Sequence, residues 1–104
     1  MNPEEITAII NTEVGDRWET SNAHGIDLRT CLVTPEKQTY TDAAESERSF
    51  ELWLVLEEDP KKRKGYKIVF DDAERLFGLA TSQINGPDVF IGYYGTFLET
   101  LESM

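Results

Sequence analysis

Two alternating runs joined by a charged turn constrain this chain more than anything else in it. From Phe50 to Glu57, Phe50, Leu52, Leu54 and Leu56 fall on one side of an extended chain, and Glu51, Trp53, Val55 and Glu57 on the other. After Asp59-Pro60 and the cationic run Lys61-Lys62-Arg63-Lys64-Gly65, Tyr66, Ile68 and Phe70 alternate with Lys67, Val69 and Asp71. Period two is the signature of a half-buried strand, and Pro at the second position of a turn presets its backbone angle. The two runs therefore predict a β-hairpin with a basic tip. Arg75 to Ala80 reads as the next strand of the meander, with Gly78 marking a bulge or a point of close packing.

The remaining segments supply the flanks. Asn2-Pro3-Glu4-Glu5 has the order of a helix start: a capping Asn, Pro at the first helical position, and acids at the positive end of the dipole. Ile6, Ile9, Ile10 and Val14 follow at helical spacing, and Gly15 is a natural stop. Ile26 to Thr34 alternates and is predicted to be a strand ended by Pro35. Between Glu36 and Glu47 the chain is polar, with Thr39-Tyr40-Thr41 able to prolong that strand after a bend. Trp18 is expected to plug the end of the core. Beyond the loop at Asn85-Gly86-Pro87, apolar residues from Val89 to Met104 recur every three to four positions and predict a C-terminal helix over 88–102. Gly92 and Gly95 each weaken such a helix by roughly 1 kcal/mol relative to Ala.

The expected fold is α+β: an antiparallel four-stranded meander flanked by an N-terminal and a C-terminal helix, in the order α-β-β-β-β-α. At 104 residues, with 39% apolar and 11% aromatic residues, residues 1–104 are read as one domain with a real core.

Charge and cysteine usage narrow the function. Twenty acidic residues against ten basic ones give a net charge of −10, which disfavours nucleic acid and anionic membrane as default partners. The longest apolar run, Leu52–Leu56, is far shorter than the ~20 residues of a membrane span, and the acidic start carries no signal core. Cys31 is the only cysteine, so no internal disulfide forms, and a cytoplasmic location is expected.

The chain carries little recognisable chemistry. One His and one Cys cannot build a zinc site, and the acidic pairs Glu4-Glu5 and Asp71-Asp72 and the triplet Glu57-Glu58-Asp59 lack the spacing of a calcium loop. Cys31, His24 and Asp27 form the one conceivable cysteine triad, but seven extended residues would put Cys31 and His24 roughly 23 Å apart at about 3.3 Å per residue. Gly92-Tyr93-Tyr94-Gly95 is followed by no Lys and does not form a phosphate loop. No catalytic residue, cofactor or metal site is assigned.

Two surfaces stand out. Lys61, Lys62, Arg63 and Lys64 place four positive charges on one hairpin tip, a candidate contact for an anion or an acidic partner; the plainer reading is that they balance Glu57, Glu58 and Asp59 across the turn. The leucine-rich sheet face, with Leu28, Leu32, Leu52, Leu54, Leu56, Ile68 and Phe70, must take a helix. The opposite face is apolar at its middle, where Trp53, Val55, Val69 and Phe77 form a candidate interface unless the second helix covers them. The chain is therefore expected to be a small acidic non-catalytic protein-binding or regulatory domain, toxin-neutralising or immunity-like proteins being one such type, with a homodimer as one arrangement. The alternative is a small-molecule binder or enzyme with a cleft between sheet and helices, for which His24, Tyr93, Tyr94 and one of the acids are the polar candidates.

Overall fold

A computed structural model describes residues 1–19, 25–83 and 86–104. The elements run α1 (Pro3–Val14), α2 (Leu28–Cys31), β1 (Leu32–Asp42), β2 (Ser49–Asp59), β3 (Lys64–Asp71), β4 (Leu76–Thr81), β5 (Val89–Gly95) and α3 (Phe97–Ser103). The class is α+β, with a helix at each end and five strands, one more than the sequence predicts.

Consecutive strands pair antiparallel, and the sheet closes into a barrel through a short parallel contact, Thr41 with Val89 and Asp42 with Phe90. Closure divides the apolar residues in two. Tyr40, Leu52, Leu54, Val69, Ala80 and Phe90 form one buried cluster to which all five strands contribute and no helix does, which identifies it as the barrel interior. The other holds Ile6, Ile10 and Val14 of α1 and Phe97, Leu98 and Leu101 of α3, packed on Val55, Leu56, Ile68, Phe70, Phe77 and Leu79 from the outward faces of β2, β3 and β4.

Helix α1 forms as its sequence dictates. The Asn2 side chain accepts from the Glu5 amide at 2.9 Å while the Glu5 carboxylate accepts from the Asn2 amide at 3.1 Å, a reciprocal cap. The chain leaves the helix at Gly15 with φ +60°, which glycine adopts without steric cost.

Three expectations are corrected. Leu28–Cys31 is a helical turn and not part of a strand. The Asp27 carboxylate accepts from the Arg29 amide (3.0 Å) and the Thr30 hydroxyl (2.7 Å), and this cap lets Leu28 and Cys31, three apart, turn to the same core. Pro35 does not end the strand. Leu32 pairs with Leu56 and Glu36 with Leu54, so four steps along β1 match two along β2, and Pro35 lies in that bulge, where its missing N–H leaves no gap in the ladder.

The third correction concerns 88–102. Val89–Gly95 is a strand, and only Phe97–Ser103 is helical. The β-branched and aromatic residues Val89, Phe90, Ile91, Tyr93 and Tyr94 suit a pleated surface, and the two glycines oppose helix. Thr96 starts α3 by accepting from the Glu99 amide at 3.2 Å, while Glu13 of α1 reaches across to accept from the Leu98 amide at 2.8 Å. Of the residues expected on one helical stripe, Phe97 and Leu101 are buried under α1, Phe90 is inside the barrel, and Tyr94 is exposed.

Candidate functional site

A bulge in β2 builds the most unusual part of the molecule. Leu54 pairs with Val69 but Leu56 pairs with Ile68, so Val55 is the extra residue. Up to Leu54 the even positions point into the barrel; after the bulge Leu56 joins the helix-covered face and Glu57 turns inward. Regular alternation would have done the reverse. Opposite Glu57 on β3 stands Lys67, sharing the inward face of Val69. Both are buried, at 1% and 4% exposure.

An isolated buried charge is costly, so the end of the barrel must satisfy both. The Lys67 ammonium is hydrogen-bonded to Asp88 and lies 3.7 Å from the second Glu57 oxygen. Arg63, half exposed on the hairpin tip, reaches Glu57 with Nε at 3.2 Å and Glu36 of β1 at 3.5 Å. The hydrogen bond from the Gln38 amide, seconded by Arg63, holds the Glu36 carboxyl below the usual carboxylate range. Burial raises the Tyr40 phenol far above its ordinary value, with Asp88, Glu57 and Glu36 adding to it. Tyr40 is thus a neutral group beside a network of five alternating charges that links β1, β2, β3 and the segment before β5.

The predicted basic tip is therefore not uniform. Arg63, at φ +55°, belongs to the network. Lys61, Lys62 and Lys64 make no ion pair among the described residues. Lys62, Arg63 and Lys64 line a cavity of about 330 Å³ with Ser82, Gln83 and Asp88.

The candidate interface residues are separated. Val55 and Phe77 are buried on the helix-covered side, while Val69 is inside the barrel. Trp53 keeps partial exposure; its indole N–H donates to Asp72 at 3.1 Å and Lys37 stands 5.5 Å from its ring. That hydrogen bond is the chief reason the Asp72 carboxyl is held below its ordinary range. Of the four, only Val55 and Phe77 are fully buried under this chain's own helices.

Exposed apolar area lies instead on β5. Ile91 and Tyr94 are 40% exposed and Tyr93 38%. Phe90 and Gly92 on β5 match Ala80 and Leu79, and Tyr93 and Gly95 match Gly78 and Phe77, so Ile91 and Tyr94 are the extra residues of two bulges that push them off the ladder. Tyr93 stacks edge-on against Phe90 (4.9 Å between centroids), Phe90 does the same against Phe50 (5.1 Å), and Arg48 caps Phe50. The Tyr93 hydroxyl donates to Asp71, and its phenol is raised by desolvation first and by Asp71 and Glu74 next. No isolated motif in the sequence marks this strand, because its bulges follow from the pairing with β4.

Cys31 is buried, its thiol pushed up by desolvation, with Sγ 3.7 Å from the Glu58 carbonyl. That is the setting of an inert packing cysteine. His24 lies outside the described residues. Among the described residues, no group of three or more His, Cys, Asp or Glu is placed to hold a metal ion. Among the described residues, no helix is long and apolar enough to cross a membrane. Comparison with family models, curated proteins and solved structures finds no match to this chain.

Proposed function

We propose that this chain is a non-catalytic, acidic protein-binding domain that recognises a basic protein surface through the exposed residues of β5. Toxin-neutralising, immunity-like proteins are one type that would work this way. The exposure of Ile91, Tyr93 and Tyr94, in a chain that buries most of its other large apolar residues, carries this reading. Tyr93 is already held by Phe90 and Asp71, so it would lose little side-chain freedom on contact. Tyrosines are favoured anchors in interfaces, and their faces attract Lys and Arg. The surrounding acids Asp71 and Glu74 and the net charge of −10 would steer a cationic partner in. The two β5 bulges disfavour strand-to-strand addition, so the contact would run through side chains.

A cleft between sheet and helices does exist, at about 220 Å³ among Ile9, Glu13, Phe77, Arg75, Thr96 and Glu99. Its carboxylates are committed: Glu13 accepts from the Leu98 amide and Glu99 from the Thr96 amide. It is smaller than the ~300 Å³ where small-molecule sites begin, which favours the binding reading over the enzyme one.

Affinity capture from a lysate of the source organism tests this, run with the wild type and an Ile91→Asp/Tyr94→Ser variant. A basic protein retained by the wild type, eluted by salt and lost with the variant is the expected result. Retention of the same proteins by both forms removes β5 as the contact.

A further inference from the structure

We propose that the cavity beneath the hairpin tip is a binding site for free inorganic phosphate, taken up as the protonated oxyanion. It is separate from the β5 surface and does not depend on it. Three observations meet there. Lys62 and Lys64 carry ammonium groups with no ion pair among the described residues, while Arg63 between them is pinned to Glu57 and Glu36. Their backbone is fixed, since the Lys62 amide donates to the Asp59 carboxylate at 3.2 Å. The two lysines therefore line the cavity with no ion pair of their own among the described residues.

Ser82 lines the cavity beside them, bonded to Gly65 on the neighbouring strand. Its Oγ accepts from the Gly65 amide at 3.1 Å, and its own amide donates to the Gly65 carbonyl at 3.2 Å. A hydroxyl has one proton and two acceptor positions. With the oxygen already accepting, and no acceptor for its proton among the described residues, the Ser82 O–H is free to donate to a ligand in the cavity it lines. Two ammoniums and one hydroxyl around about 330 Å³ make a set of donors for a tetrahedral oxyanion.

Asp88 decides which oxyanion. It lines the same cavity, and its Oδ2 is engaged by Lys67. Its Oδ1 has no partner among the described residues. A carboxylate in an anion site repels sulfate, which has no proton at neutral pH, and accepts a hydrogen bond from phosphate, which keeps one. A phosphate monoester, with a second pKa of about 6, has mostly lost that proton and is disfavoured like sulfate. Two ammoniums and a hydroxyl as donors, with one carboxylate oxygen as acceptor, thus describe hydrogen phosphate.

The test is an amide NMR titration of the full chain with inorganic phosphate, sulfate and glycerol phosphate in turn, near neutral pH and at constant ionic strength. Phosphate is expected to give saturable shifts at Gly65 and Ser82, with sulfate and the ester at least about tenfold weaker. A Lys62→Ser/Lys64→Ser variant, whose changes are on the exposed tip, should keep a folded spectrum and lose about tenfold in phosphate affinity. Shifts that do not saturate, equal affinity for sulfate or for glycerol phosphate, or unchanged affinity in the variant would each overturn the proposal.

Discussion

Replacing Lys67 by Met removes one charge from the barrel interior while keeping an unbranched side chain one atom shorter. Lys67 is 4% exposed and stands between Asp88 and Glu57, and Glu57 is 1% exposed. Once the ammonium is gone, Glu57 keeps a single charged partner among the described residues, the half-exposed Arg63 at 3.2 Å. Removing one member of a buried pair typically costs about 3–5 kcal/mol, because the other charge is left uncompensated. For a domain whose total stability is about 5–15 kcal/mol, that is a large share. At about 4–8 °C per kcal/mol, the melting temperature should fall by roughly 12–40 °C. The double variant Lys67→Met/Glu57→Leu fills the same cross-strand position with two apolar side chains. It leaves Arg63 and the partly exposed Asp88 to be hydrated, so it should recover to within about 1–2 kcal/mol of the wild type. Urea unfolding followed by circular dichroism, with unchanged slopes, gives both numbers. A single variant that loses under about 1 kcal/mol, or a double variant no better than the single, would refute the view that desolvated charge governs this end of the barrel.

Three further outcomes follow from the packing. Phe97, fully buried and edge-on to Phe77 at 5.7 Å, should cost about 3–5 kcal/mol when changed to Ala, measured by thermal or urea unfolding. Gly78→Ala should destabilise by about 1–3 kcal/mol, since the added Cβ would sit 2.4 Å from the Gly92 carbonyl oxygen and 2.8 Å from the Phe90 ring; an unchanged melting curve would show that β5 can move away. Asp72 should titrate below the ordinary Asp range in carboxyl NMR and return toward it in Trp53→Phe, whose ring donates nothing. Because the folded value is the lower one, that contribution to stability is complete above the unfolded pKa of about 3.9 and is lost as pH falls through the folded value.

Local sequence was sufficient wherever a segment carries its own reason for its shape. Asn2, Pro3 and Glu5 cap and start α1 without help from the rest of the chain, and Gly15 ends it. The β2–β3 hairpin is legible because its period-two pattern and its turn residues are both local. The same holds for β4 and for the close packing at Gly78. Net acidity and the concentration of cations at one tip are also properties of the sequence alone.

Tertiary structure decided whatever depends on pairing register and closure. Apolar spacing over 88–102 fits a helix as well as a strand followed by a helix. Pairing with β4 and the edge of β1, which local spacing does not record, selects the strand. The direction of Glu57 is decided by one extra residue in β2, and a bulge shows itself only against its partner strand. For the same reason Trp53, Val55, Val69 and Phe77, which parity puts together on one open face, end on two sides of a closed barrel with helices over one of them. The cavity at the tip unites Lys62 and Lys64 with Ser82 and Asp88, which lie some twenty residues further along the chain, and only closure of the strands brings them within reach of one ligand.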